Sequence, residues 1–296
     1  MYNQFRSRLE LTGTVTLTTA LRIGAGRSLE PDAPDLPVVK DIWGKPYIPG
    51  SSFKGVLRTH AESLLRAIEP DQDKSRKLAC NPLSEAKLST GQKYRRCIAP
   101  DEMQELKRGP KDNFDEVLLA HTCLACGLFG AQWFASPVQI RDMPLTVEMR
   151  PYARFEQRNG VAINRDTETS ENGALYDFEV VPAQMSFEFA ALIENAEPYQ
   201  LGLFFLALRS FERGSKPLGG ATSRGLGGIQ LNWTGNFLDA QNTLAGKTGT
   251  LPKLDALIAL FDGSEGQKVL PGDLQVKSWV EAFRNEMAKR LGETNV

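Results

Sequence analysis

Apolar side chains occupy alternate positions at Leu9, Leu11, Val15, Leu17, Leu21 and Ile23, with Arg8, Glu10, Thr12, Thr14, Thr16 and Thr18 between them. A period of two predicts a half-buried strand that ends at Gly24-Ala25-Gly26, with Arg22 on its solvent side. The stretch from Arg27 to Pro37 carries three prolines and three acids, so it predicts a loop and excludes both helix and central strand. After Pro49-Gly50 the period changes. Phe53, Val56, Leu57, His60, Ala61, Leu64, Leu65 and Ile68 give one apolar face of a helix, with Ser51 and Ser52 placed to cap its start and Glu69-Pro70 to end it.

From Asp71 to Ala120 the pattern dissolves into a polar, lysine-rich segment. A structureless connection of that length is uncommon inside a compact domain, so it reads as an insertion with its own tether. Order returns as a short strand at Val138-Gln139-Ile140-Arg141. Two extended halves, Asn159 to Asp166 and Ala174 to Pro182, then flank a polar turn at Thr167 to Gly173 and predict a β-hairpin arm. Met185, Phe187, Phe189, Ala191 and Ile193 alternate as a strand. Leu201, Phe204, Phe205 and Leu208 mark a helix from near Pro198, and Ile229, Leu231 and Trp233 the strand after it. Without the insertions the order is β-α-β-β-α-β. That predicts an α+β fold of the ferredoxin-like arrangement, shared with the RNA-recognition motif. The expected layout is one domain over residues 1–237, with a basic Cys-containing insertion at 70–126 and a hairpin at 142–182. A linker and helical tail carrying Leu274, Trp279, Val280, Phe283 and Met287 follow over 238–296.

The chain has 296 residues, 41% of them hydrophobic, and a net charge of −1. No apolar run approaches the roughly 20 residues of a membrane span, and the first six residues do not read as a secretory leader, so a cytoplasmic protein is expected. Net charge announces no nucleic-acid partner, but its distribution is uneven. Lys40 to Lys111 carries 15 Lys/Arg against 9 Asp/Glu, a basic segment on a weakly acidic body that can hold a polyanion locally. Lys54 and Arg58 lie four apart beside the free N–H groups of a helix N-terminus, which is an anion site or else a solvated helix face.

In a cytoplasmic protein, four cysteines are thiols or metal ligands rather than disulfides. Cys80 and Cys97 lie inside the insertion and Cys123-Leu124-Ala125-Cys126 closes it, with His121 adjacent. A Cys-x-x-Cys pair with two further thiolates makes a tetrahedral zinc site; buried idle thiols are the alternative. Gly219 to Gly228 holds five glycines between a helix and a strand. It lacks the Gly-Lys-Ser/Thr of a phosphate-binding P-loop and runs the wrong way for a Rossmann turn. With Arg224 at its centre it suits phosphate or RNA backbone, or is simply a tight turn. His60 and His121 are the only histidines and assemble no Ser-His-Asp set. Asp32 and Asp35 remain as loop carboxylates able to orient a nucleophile or hold a divalent metal, or to sit as solvated charges.

Several fragments in order carry a family resemblance: Leu21-Arg22-Ile23-Gly24-Ala25-Gly26, Asp35-Leu36-Pro37-Val38-Val39-Lys40-Asp41 and Ile48-Pro49-Gly50-Ser51-Ser52-Phe53-Lys54-Gly55. Cys126-Gly127-Leu128-Phe129-Gly130, Val161-Ala162-Ile163-Asn164-Arg165-Asp166 and the glycine loop complete the set. Over most of residues 5–235 the sequence resembles the backbone subunit of type III CRISPR effector complexes, in the repeat-associated mysterious protein (RAMP) superfamily.

The resemblance implies an antiviral-defence subunit whose copies stack along a CRISPR guide RNA beside other effector subunits. A hairpin thumb would interrupt guide–target pairing at intervals. It implies an endoribonuclease in which Asp35, and not Asp32, cuts target RNA with a divalent metal, magnesium or manganese. Arg22, Ser51, Lys54, Arg58, Arg165, Gly219, Gly220, Arg224, Gly225 and Gly227 match its RNA-contacting positions. Some relatives carry a structural zinc, consistent with Cys80, Cys97, Cys123 and Cys126. In cutting relatives a histidine often stands where this chain has Arg22, a change that favours a phosphate contact. A catalytically inactive RNA-binding scaffold is the alternative. A self-contained repeat-processing ribonuclease is disfavoured by the placement of the histidines, and a nucleotide-binding enzyme by the glycine loop's context.

Overall fold

The structure, a computed structural model, describes residues 4–28, 34–69, 77–81, 96–98, 100–109, 114–133, 135–262 and 266–292. Among the described residues five strands form the main sheet: β1 (Ser7–Leu17), β3 (Val138–Ile140), β7 (Ser186–Glu194), β8 (Ile229–Asp239) and β9 (Gln267–Val269). Their spatial order is β3-β7-β1-β8-β9, and every neighbouring pair is antiparallel. Helix α1 (Gly50–Ile68) follows β1 and helix α5 (Pro198–Glu212) links β7 to β8. Both bury their apolar stripes against one sheet face: Phe53 meets Phe189 at 5.7 Å and Phe211 at 5.0 Å, and Phe205 meets Trp233 at 5.1 Å between ring centroids. Leu9, Leu11, Val15 and Leu17 of β1 lie at the centre of this core. The fold is thus mixed α+β around a large antiparallel sheet.

β1 stops at Leu17, six residues before the expected end. The N–H groups of Thr18 and Thr19 both turn to the Gly228 carbonyl, and the chain leaves the sheet. Leu21 then exchanges two backbone bonds of 2.8 Å with Val181, and Gly24 bridges Val38. Alternation survives this change of partners, because each new partner also holds extended chain. For that reason the sequence pattern does not register the break.

Neither Ser51 nor Ser52 caps α1 through its side chain. The Gly50 N–H instead donates to Asp142 Oδ1 at 2.8 Å, from the far side of the insertion. Within that insertion the described residues include helices α2 (Pro100–Arg108), α3 (Phe114–His121) and α4 (Leu124–Phe129). A two-residue pairing of β2 (Tyr47–Ile48) with β4 (Met143–Pro144) leads to the hairpin. The hairpin consists of β5 (Glu156–Ile163) and β6 (Ser170–Val180), and its turn falls at Asn164–Thr169, earlier than the pattern indicates. There the Asn164 side chain accepts the Asp166 N–H at 2.9 Å, a local bond that fixes the reversal.

The described residues after 237 pack on the main sheet and on α5. β8 runs through the expected boundary at 237/238 to Asp239, and β9 extends the sheet edge. Helices α6 (Ala240–Leu244) and α7 (Thr250–Phe261) lead to α8 (Leu274–Leu291), which lies along α5. Trp279 stacks on Phe205 with rings 6° from parallel, and Phe283 and Met287 are buried beside it. A side chain at Gly202 would overlap the Trp279 carbonyl, so the helices touch backbone to backbone there. Among the described residues no helix is long and apolar enough to cross a membrane.

Candidate functional site

The base of the hairpin, residues 176–179 of β6, brings together three of the side chains singled out from sequence, Asp35, Arg22 and Arg224. Strand alternation sends Asp177 and Glu179 one way and Tyr176 and Phe178 the other. On the first side lies the segment that carries Asp35. Asp177 Oδ1 accepts the Asp35 N–H at 2.8 Å, and Asp35 Oδ2 accepts the Asp177 N–H at 3.2 Å. The Gln157 amide donates to the other Asp177 oxygen. The Asp35 N–H, with that amide behind it, holds the Asp177 carboxyl below the usual carboxylate range. Leu36 bridges Phe178, and its carbonyl accepts the Glu179 N–H at 3.1 Å. Buried Glu179 accepts from the Val38 N–H at 3.2 Å and from Lys40 Nζ at 2.9 Å. Asp32 lies outside the described residues.

On the other side stand Arg22 and the glycine loop. The Arg22 guanidinium lies 5.7 Å from the Phe178 ring centroid, and its buried Nε has no hydrogen-bond partner among the described residues. The Arg22 carbonyl accepts the Gly220 N–H at 2.8 Å. Arg224 donates to the Tyr176 hydroxyl at 2.7 Å. Gly219 and Gly227 have positive φ, and a Cβ at either would strike a carbonyl, that of Arg22 or that of Leu218. Those two glycines serve the chain's own close packing. Gly225, also at positive φ, faces open space. Asp35, Arg22, Gly220 and Arg224 therefore meet around one strand segment.

The other expected RNA contacts lie elsewhere. Arg165 is exposed in the hairpin turn and Ser51 is exposed on α1. Lys54 and Arg58 point inward. Lys54 Nζ donates to the Val138 carbonyl at 2.6 Å, and burial, then the neighbouring Arg58, lowers its pKa. Arg58 donates to Glu62 at 2.8 Å, to the Gly130 carbonyl at 2.9 Å and to Cys126 Sγ at 3.3 Å. Spacing on a helix cannot tell a phosphate-facing cation from one that ties the helix to its neighbours.

Arg58 leads to the cysteines. Cys80, Cys97, Cys123 and Cys126 are all buried, and their Sγ atoms lie within 4.8 Å of one another. Cys80 and Cys126 Sγ are 3.5 Å apart, and Cys123 Sγ accepts backbone N–H groups from Cys126 at 3.4 Å and Cys80 at 3.5 Å. Bonds from Cys126, then Cys80 and Cys97, hold the Cys123 thiol well below its ordinary value. Zinc–sulfur bonds of about 2.3 Å in a tetrahedron place sulfurs roughly 3.8 Å apart, so the donor set fits such an ion. The Arg58 guanidinium and the two N–H···S bonds are the outer contacts that a thiolate cluster needs to offset its negative charge. His121 is exposed, bonds the Val117 carbonyl through Nδ1 at 2.8 Å, and is not part of the group. Arg290 of α8 reaches over to the Thr122 carbonyl at 3.0 Å, beside the cluster.

Sequence reading overlooked Tyr176, Asp177, Phe178 and Glu179, which it took only as one half of a hairpin. The available signal was two acids alternating with two aromatics, a pattern with work on both faces.

Comparison with known proteins agrees with this architecture. The profile of the RAMP superfamily matches residues 14–230. Over 55 residues, 18% of the chain, the sequence is 47% identical to a Mycobacterium tuberculosis protein named CRISPR system Cms endoribonuclease Csm3. The match spans 23% of that protein's length.

Proposed function

The chain belongs to the RAMP superfamily, and from that premise we propose that it is a guide-RNA-binding backbone subunit of a type III CRISPR interference complex. In that role it cleaves complementary target RNA at regular intervals, working in the cytoplasm with other effector subunits and neighbouring copies. The order β3-β7-β1-β8 with α1 and α5 as crossovers supports reading the core as ferredoxin-like. The observation that carries the functional reading is the convergence of Asp35, Arg22 and Arg224 on the base of the exposed hairpin β5–β6.

Cutting RNA requires the 2′-hydroxyl, or a water, to lie in line with the scissile phosphorus, and charge on the phosphate to be offset. A hairpin that unpairs one nucleotide frees the backbone for that alignment. Arg22, beside the Phe178 ring, and Arg224, on the Tyr176 hydroxyl, are placed to hold phosphates without reading bases. Asp35 is the group that takes the proton or anchors a divalent cation, magnesium or manganese, whose contribution would be to neutralise phosphate charge. We assign the cysteine group to one structural zinc held by Cys80, Cys97, Cys123 and Cys126, remote in role from the cutting chemistry.

The alternative, an inactive RNA-binding scaffold, draws on one observation: an Asp35 oxygen is already engaged by the Asp177 N–H. The assembled, guide-loaded complex separates the two. Wild type should give a ladder of target fragments, whereas Asp35→Ala should bind target and leave it whole, as should wild type with chelator. Normal cutting by Asp35→Ala assigns this chain the scaffold role.

A further inference from the structure

The hydrogen bonds at the hairpin base point to Asp177 as a positioning residue that clasps the Asp35 segment to the hairpin. This inference rests on the proposed role of Asp35 for its consequence, but not for its existence. The two residues exchange bonds reciprocally, the side chain of each accepting the backbone N–H of the other. Two carboxylates would not meet this way unless each had an N–H donor to satisfy it, and each has one. Gln157, from the opposite hairpin strand, braces the second Asp177 oxygen. Two residues along, Glu179 repeats the device with the Val38 N–H and Lys40. The segment 35–40 is therefore fastened to β6 through Asp177, Glu179 and the Leu36 carbonyl, and to its own loop through the Ser28 N–H on the Asp35 carbonyl at 3.0 Å, so that Asp35 is coupled to the hairpin base.

The function of this arrangement is registration. A carboxylate on a free loop reaches several phosphodiester bonds. One locked to the hairpin base meets only the bond at a fixed offset from the nucleotide the hairpin displaces. The required element is the Asp177 Oδ1 acceptor, not its charge, because the bond it makes is to a neutral N–H.

Amide exchange in the full chain and target cleavage in the guide-loaded complex test the assignment together, on Asp177→Ala and Asp177→Asn beside wild type and Asp35→Ala. Asp177→Ala should speed exchange at the Asp35 and Leu36 amides by about tenfold or more. It should also slow cutting by roughly 100-fold and smear each cut over neighbouring bonds, with target affinity unchanged. Asp177→Asn, which keeps the acceptor, should restore protection, sharp cuts and most of the rate. Unchanged exchange in Asp177→Ala overturns the clasp. Loss of cutting in both variants with protection intact also overturns it, since the Asp177 charge would then act directly on the reaction. If Asp35→Ala cuts like wild type, the nuclease role is lost, and the exchange measurement still decides whether Asp177 holds the segment.

Discussion

Arg58 offers a direct contest between a guide-binding role and a structural one. Its side chain is 23% exposed and makes three internal bonds, to Glu62, the Gly130 carbonyl and Cys126 Sγ. Arg58→Ala removes all three. Bonds involving a charged group contribute about 1.5–3 kcal/mol each in isolation, but bonds sharing one guanidinium do not add. Glu62, with a side chain 12% exposed, keeps Arg66 at 3.2 Å, which limits the cost of the charge left behind. A net loss of roughly 3 kcal/mol follows, toward the lower end for breaking a buried pair. For a chain of 296 residues the unfolding entropy is about 0.6 kcal/mol/K, so Tm should fall by roughly 5 °C. Arg58→Lys should lose most of this too, since an ammonium cannot span three acceptors in a fixed fork. The assay is thermal unfolding of RNA-free protein, paired with RNA affinity across a salt series. A guide-phosphate contact predicts the opposite pattern. Tm would hold, Arg58→Lys would bind nearly as wild type, and Arg58→Ala would lower the salt slope by about 0.7, the value of one single-strand phosphate. That outcome would refute the structural assignment.

Freshly purified, reduced protein should contain about one zinc per chain, and Cys123→Ser should empty the site; zinc-free wild type removes the metal assignment. At the α5–α8 contact, Gly202→Val should force Trp279 and Phe283 away from α5. Tm should fall by roughly 4 °C, for about 2–3 kcal/mol of overpacking, and tryptophan emission should shift to the red. Unchanged emission and Tm would mean that α8 is not held there.

Periodicity made much of the main fold readable. Alternation located β7 and the start of β8, and the 3.6-residue stripe located α1 and α5, because each buries one face against the same core. What escaped depended on partners distant in sequence. The cap of α1 comes from Asp142, the end of β1 from the Gly228 carbonyl, and the docking of α8 from the bare backbone at Gly202. None of these leaves a local mark, since the acceptor or the facing helix lies tens to hundreds of residues away. The cysteine group was legible because thiol chemistry is rare enough for four residues to implicate one another. The role of Arg58 was not legible for the converse reason: a helical cation has the same spacing whether it faces phosphate or Cys126.

The hairpin base shows why fold and chemistry are hard to separate in this chain. A strand two residues per repeat presents opposite faces to opposite neighbours, so one stretch of four residues can address two loops at once. Asp177 and Glu179 take the acidic segment, while Tyr176 and Phe178 take Arg224 and Arg22. A register slip of a single residue would exchange the faces and set aromatics against the Asp35 segment, acids against the arginines. The second pairing is electrostatically plausible and the first is not, because the Asp35 and Val38 N–H groups would lose their acceptors. Register here is therefore fixed by polar bonds as much as by apolar burial. On the proposed reading that same register sets the distance between the nucleotide the hairpin displaces and the carboxylate that cuts. Extra residues at the exposed hairpin turn leave this distance alone, whereas one inserted between Tyr176 and Glu179 alters both the fold and the cut.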